Sequence, residues 1–493
     1  MARQPIKKIT LYRWRFLLGY GLLALSLIGI LSFATLYVPG GINLAEQNSA
    51  LKSASLRLDQ PSSLLVTDLP YHALQKISIT IFGLSNPSIK LPSLLLSSFA
   101  GISFIFLLRR WFKPSVSVIT ASIAAVSTPF IFLAQQGSPS IMVIFWPIII
   151  LLLASISLRR DAGKCKLLTV PLLGVASGLS LYTPMSFFLL LALAIGGMLH
   201  PQIRYAVRKY INKPLMASAV VMAIIAILPL AYMIYRTPVL IIGLGISSGN
   251  LSFDIMHNFK ILALQLFDIT GRSTPFTGAV TPFFTLPALL LSAAGVFQLF
   301  KERHGAQNYL LTAWISLLLP ITLLNPHQPE LLFVPFMLLT GVGVAFTLDY
   351  WYKLFPLNPY ARAFALIPLI ILIGGIILTD TLRYFYTYHY SAPLATQSTP
   401  DLRLIDEQIK NAQDQSRQPI VIVSPAEHPF YQLYNDVKHM SIKFTQDIKT
   451  PDTSNVIIAT KDSRQTQSKY TPSSVIADDT AGDESDRLYI YKK

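Results

Sequence analysis

Glu46, Asp59 and Asp68 are the carboxylates of one polar segment, 39–90, in a chain where only 13% of residues are charged. A carboxylate held at a lipid–water boundary can act as a general base on an acceptor hydroxyl or amine. These three are the catalytic candidates. Glu46 has the most definite setting. It lies in GINLAEQNSALKSASL, where Leu44, Ala45, Leu51, Ala54 and Leu58 recur at helical spacing, so the stretch is expected to be a helix along a membrane surface. The plain alternative is that Glu46 belongs to the polar face of that helix.

The cations that could meet an anionic group are Lys76, Lys260 and Arg272. Lys76 sits in LPYHALQKISITIF, beside the interface-seeking Tyr71 and His72. A lysine at headgroup level can hold a lipid phosphate as a point charge; the plain alternative is a snorkelling side chain. Arg272, in DITGRSTPFTG, presents two parallel donors to a phosphate, and the Gly, Ser and Thr around it add more. Tyr71, His72 and His327 are the candidates for lining a substrate cavity.

These residues need a frame, and the frame is apolar. The 493-residue chain is 52% hydrophobic, whereas a soluble chain carries roughly a quarter charged residues. Apolar stretches at about 16–38, 91–108, 116–134, 141–157, 167–182, 185–199, 215–235, 281–300, 308–324, 331–348 and 363–382 are candidate spans, eleven in all. With the N-terminus inside, the inner loops hold 20 Lys and Arg and the outer loops 7. Cytoplasmic loops retain Lys and Arg, so the expected topology is multi-pass in the cytoplasmic membrane, with a cytoplasmic N-terminus and the C-terminal segment outside. The net charge of +16 then sets topology rather than binding nucleic acid. The first span reads as an uncleaved anchor, too long for a signal peptide and followed by no small-residue cleavage site. The lone Cys165 allows no internal disulfide.

Two outer loops, 39–90 and 236–280, are long enough to carry function or helices of their own. The expected division is a transmembrane domain over 1–382 and an extracytoplasmic α/β domain over 383–493. In the latter, Asp401–Gln413 and Glu427–Asp436 read as helices and Pro419–Ser424, Met440–Phe444, Asn455–Thr460 and Arg487–Lys492 as strands, with Thr460–Asp486 loose.

The span interiors hold almost no ionisable groups, which argues against an ion-coupled transporter. No HExxH motif or Gly-rich phosphate loop occurs.

The run LPYHALQKISITIFGLSNPSIKLPSLLLSSFAGISFIFLLRRWF, with Pro70, Tyr71, Lys76, Phe82-Gly83, Lys90-Leu91-Pro92-Ser93 and Arg109-Arg110, resembles the GT-C class of membrane glycosyltransferases. The likeness is to the aminoarabinose-transferase and protein O-mannosyltransferase-like group. ASIAAVSTPFIFLAQQGSPSIMVIFWPIIILLLA and NPHQPELLFVPFMLLTGVGVAF fit the same pattern. The resemblance implies a GT-C-like α-helical polytopic fold and transfer of a sugar from a polyprenyl-phosphate carrier to a protein, lipid or glycan on the outer face. It implies an acidic pair in the first outer loop as base and basic groups on the donor phosphate. Two departures stand out. The acidic pair is here Ala45-Glu46, and the short loop after the third span, Gln135–Ser140, carries no charge. A catalytically degenerate scaffold that binds a lipid carrier, and a carrier for lipid-linked glycans, are therefore the alternatives. No motif dictates a cofactor; a divalent metal, Mg or Mn, is the candidate. Expected partners are the lipid-linked sugar, membrane lipids and an acceptor.

Overall fold

The computed structural model describes residues 10–37, 41–57, 59–64, 66–159, 165–246, 254–267, 283–302, 305–326, 328–354, 360–361, 364, 366–390, 402–438, 442–446, 455–467, 471–477 and 486–492. The bundle comprises α1 (Thr10–Tyr37), α2 (Leu44–Ser55), α3 (Leu69–Phe82), α4 (Asn86–Trp111), α5 (Pro114–Val126), α6 (Thr128–Gln135), α7 (Met142–Ser157), α8 (Lys166–Ser180), α9 (Phe187–Leu199), α10 (Pro201–Tyr210), α11 (Lys213–Arg236), α12 (Leu240–Ile246), α13 (Ile255–Phe267), α14 (Leu286–Lys301), α15 (Ala306–Leu324), α16 (Phe333–Leu354) and α17 (Ile367–Tyr390).

Seven of the described helices are long and apolar enough to cross a membrane. The bent pairs α5–α6 and α9–α10 bring the number to nine if each is one span. The eleven apolar stretches all fall on helices, 116–134 on the pair α5–α6, but length and composition support seven to nine spans among the described residues rather than the eleven expected. The departures from the simple pattern have local causes. α5 and α6 meet at 54° across Ser127, where Pro129 sits in the first turn of α6 and cannot continue the α5 hydrogen-bond ladder. α9 and α10 meet at 89° across His200-Pro201. α8 and α14, at 15 and 16 residues, fall short of the roughly 20 residues that a straight span takes. The bundle packs on small residues, as helices in lipid do. A Cβ on Gly343 of α16 would lie 1.8 Å from the Leu291 carbonyl of α14, and one on Gly295 would lie 2.1 Å from that of Leu339. Only glycine lets these two backbones approach so closely.

The polar segment after α1 folds into two helices. A reciprocal Asn43/Glu46 capping box starts α2, and Gly83, at φ 72°, ends α3. A Ser85/Ser88 box then opens α4.

The C-terminal part adds α18 (Leu402–Asp414) and α19 (His428–Lys438) to a five-stranded sheet. The strands are β1 (Gln418–Ile422), β2 (Lys443–Thr445), β3 (Asn455–Thr460), β4 (Ser474–Ala477) and β5 (Asp486–Tyr491), in the order β2-β1-β3-β5-β4. β1 pairs in parallel with β2 and β3; β5 runs antiparallel to β3 and β4. The stretch expected to be loose contains β4 and a 3-10 turn, Lys461–Gln467. β4 is a short edge strand that buries almost nothing, so its sequence carries no alternation to read. The sheet domain rests on the polar segment. Ile42, Ala50, Ile79, Leu84 and Ile89 share one buried cluster with Ile405, Ile409, Val421, Phe430, Tyr431 and Tyr434. Gln47 of α2 donates to the buried Glu427 carboxylate at 3.4 Å. Burial, more than any other influence, raises the pKa of that carboxylate.

Candidate active site

α2 turns Glu46, Gln47, Ser49, Ala50 and Ser53 into the protein. Glu46 is 3% exposed. One carboxylate oxygen accepts from the Asn43 amide at 2.8 Å, the other from the Gly137 amide at 2.6 Å. Lys90, equally buried, lies 3.8 Å away and donates to the Gly41 carbonyl at 3.1 Å. Glu46 thus joins the starts of α2 and α4 to the loop after α6.

Gln75 of α3 is the hub beside it. Its amide nitrogen donates to the carbonyls of Ile89 and Gly137, each at 3.0 Å. Its oxygen accepts from Ser49 at 2.8 Å and Ser53 at 2.6 Å. His72 meets Ser53 through Nδ1 at 2.8 Å. Burial first, then the charge of Lys52, lowers its pKa to about 4, so it is neutral at pH 7. Tyr71 shares a 2.8 Å hydrogen bond with Ser93, and burial pushes its phenol up. Lys76 donates to the Ala54 and Leu56 carbonyls at the end of α2. Asp59 is exposed on a turn. Arg272 and His327 lie outside the described residues.

Asp68 has a different setting. It precedes α3 in the left-handed region, at φ 53°, with no side-chain cap on the helix. Its amide donates to the Tyr182 carbonyl at 2.9 Å, and its carboxylate accepts from the Thr183 hydroxyl at 2.7 Å. Met185, two residues further on, is also at positive φ. Strained backbone of this kind persists where the surroundings hold it, and it gathers at functional sites. Burial raises the Asp68 pKa to about 7; Thr183 and Lys52 oppose that shift.

Asp68 borders a cavity of about 230 Å³. Gln136 and Ser140 from the loop before α7, Thr183 and Pro184, and Gln328 and Glu330 supply its other walls. Two carboxylates from segments far apart in sequence therefore line one cavity. Glu330 sits in the 3-10 turn Pro329–Leu332, against which α13 packs. α13 carries Lys260, exposed, beside a shallow and mainly apolar groove that includes Met256, Phe259 and Phe267. Thr183 and Gln136 were not among the sequence candidates, and Glu330 was no more than one of the acids outside the C-terminal segment. The available signal was that Glu330 is the one acid of the short segment 325–330, but only the packing of α7, α8 and α16 brings it to the cavity that Asp68 borders.

Among the described residues no group of three or more His, Cys, Asp and Glu side chains could hold a metal ion. The cavity offers Mg or Mn two carboxylates, short of a full set of protein ligands.

No family model and no curated protein matches the chain. Solved structures do. ArnT, the aminoarabinose transferase of Cupriavidus metallidurans, bound to undecaprenyl phosphate, superposes with a TM-score of 0.52 at 14% identity, over 96% of this chain and 98% of that one. Apo ArnT gives 0.52 at 12%. The Archaeoglobus fulgidus oligosaccharyltransferase, tethered with an acceptor peptide, gives 0.50 at 12% identity, over 88% of this chain and 64% of that one. Both are GT-C glycosyltransferases, and the chain has their fold: a polytopic membrane bundle of the GT-C class carrying a small C-terminal sheet domain.

Proposed function

We propose that this protein is a glycosyltransferase that moves a sugar from a polyprenyl-phosphate donor to an envelope acceptor on the outer face of the membrane. The observation that carries this reading is the Asp68 carboxylate, buried on a strained turn, with a pKa of about 7, at the wall of a cavity that also holds Glu330. A base poised near the working pH combines the ionised form with adequate basicity. The fold adds support, since the ArnT structure contains undecaprenyl phosphate.

In this reaction the acceptor oxygen or nitrogen attacks the sugar C1. The bond from C1 to the phosphate oxygen breaks, and its electron pair leaves with the polyprenyl phosphate. The acceptor proton passes to the Asp68 carboxylate. Thr183 holds that carboxylate in place, and Gln136, Ser140 and Gln328 offer hydrogen bonds to sugar hydroxyls. At about 230 Å³ the cavity is below the roughly 300–1,000 Å³ of ordinary small-molecule sites. It suits one sugar ring and the attacking atom, with the lipid outside. Lys260, beside its apolar groove, is the described cation suited to the donor phosphate, with Lys76 and Arg272 as the further candidates.

The test is transfer in proteoliposomes charged with undecaprenyl-phosphate-linked hexoses and pentoses, read as release of undecaprenyl phosphate. Asp68→Asn should lower the rate by about 10²–10⁴-fold, as loss of a general base does, with the protein still monodisperse. Wild-type turnover in that variant would remove the assignment.

A second reading, the catalytically degenerate scaffold, rests on Glu46. Both its carboxylate oxygens are engaged by backbone amides, with Lys90 nearby. It serves architecture in that reading, and no donor in the panel is consumed.

A further inference from the structure

The end of the bundle away from the sheet domain holds a second cavity, of about 860 Å³. α4 starts beside the polar segment and ends at Trp111, whose indole N–H donates to Ser155 near the end of α7 at 3.0 Å. Arg109 and Arg110, in the last turn of α4, and Arg159, just after α7, stand at this cavity. Arg110 is within electrostatic reach of both other guanidinium groups. Among the described residues, none that lines the cavity is acidic. Its walls are otherwise largely apolar, with Phe106 and Leu151 on one side and Leu193 and Leu310, from α9 and α15, on the other.

Positive charge at a helix end ordinarily just fixes topology. Such residues point separately into water or headgroups. Here three cations from two helix ends border one cleft, and the cleft continues between apolar side chains. Like charges gathered without a carboxylate raise each other's energy, and an anion relieves it. A guanidinium presents paired donors that match phosphate oxygens. Apolar walls below the charges suit acyl chains, and basic pockets between membrane helices suit anionic headgroups.

We infer that this cleft binds an anionic phospholipid of the adjoining leaflet, with its phosphate between Arg109, Arg110 and Arg159 and its acyl chain against Phe106 and Leu310. The site is separate from the Asp68 cavity and does not depend on the proposed transfer.

Native mass spectrometry of the full-length protein, titrated with phosphatidylglycerol or phosphatidylcholine, tests this. Phosphatidylglycerol should be retained in preference to phosphatidylcholine. The triple variant R109Q/R110Q/R159Q should weaken its binding on the order of tenfold or more. A154W fills the apolar wall and keeps every arginine; it should also weaken binding, and it decides the matter if the triple variant does not fold. Unchanged phosphatidylglycerol affinity in A154W overturns the site. Stronger retention of undecaprenyl phosphate than of phosphatidylglycerol overturns the assignment to a bilayer phospholipid. Displacement by inorganic phosphate with no effect of A154W overturns the lipid.

Discussion

The Gly137 amide donates to the Glu46 carboxylate at 2.6 Å, across 91 positions of sequence. This contact fastens the first helix of the long polar segment to the loop between α6 and α7. The same loop, through Gln136 and Ser140, walls the cavity at Asp68. Glu46 thereby shapes the site without lining it.

Glu46→Gln removes the charge that answers the buried Lys90 and weakens the bond from Gly137. Stranding one partner of a buried ion pair costs about 3–5 kcal/mol. The 3.8 Å separation places the expected loss at the lower end. Adding Lys90→Met removes the stranded cation and should restore part of the stability. Thermal unfolding in detergent measures both variants. Equal unfolding temperatures for the single and double variants would show that the pair is not coupled.

Gly137→Ala should destabilise the same junction. A Cβ there would lie 2.7 Å from Ile89 Cγ2 and 3.1 Å from the Ile89 carbonyl oxygen. Ile89 is fully buried, so it has little room to move, and overpacking of this kind costs about 1–3 kcal/mol. Ile89→Ala in the same chain should relieve part of the clash, so the double variant loses less than the two single losses added. Strict additivity in denaturant unfolding would contradict the contact.

Asp68 gives two dependences on pH. Its folded pKa of about 7 lies above the ordinary 3.8, so between these values the folded state binds more protons than the unfolded one. Stability therefore falls as pH rises from about 4 to about 7 and is flat above. Asp68→Asn should abolish that slope and gain most relative to wild type above pH 7. Transfer runs the other way, rising through about pH 7 as the base ionises. Paired unfolding and rate profiles check both, and an unaltered stability slope in Asp68→Asn would place the titration elsewhere.

The bundle was legible because lipid leaves a chain few options. A backbone in hydrocarbon must satisfy its own hydrogen bonds, so long apolar runs become helices. The breaks were hidden for the same reason: Ser127-Thr128-Pro129 sits inside a run, 116–134, that carries no charge to mark an interruption. The site was less legible. Apolar spacing in Leu44–Ser55 left open whether Glu46 acts as a base or joins the polar face of a surface helix, and the structure buries Glu46, Gln47, Ser49 and Ser53. They face inward because Gln75, Gly137 and Lys90 supply partners that local sequence does not reveal. Asp68 was one acid among several until Thr183 and Glu330, from distant segments, closed around it.

The relative sides of the bundle follow from its contacts, and loop charge then orients it. The sheet domain packs on α2, so it shares an end with the 39–90 segment. Trp111 and Ser155 meet at the other end, and Cys165, exposed just before α8, follows from there. The preference of Lys and Arg for the cytoplasmic side predicts that this second end is the inner one. An impermeant maleimide should therefore leave the native Cys165 unlabelled in intact cells and label it after lysis. In a Cys165→Ser background, Gln432→Cys, at an exposed position of α19, should label in intact cells. The two cysteines thus report opposite ends of one bundle, each controlling for the other. Labelling of both from outside would break the relative assignment made by the packing. The reverse pattern, Cys165 labelled and Gln432→Cys protected, would keep the packing and invert the orientation. That inversion would also place the Asp68 cavity on the cytoplasmic face and remove the outer-face acceptor from the proposed reaction.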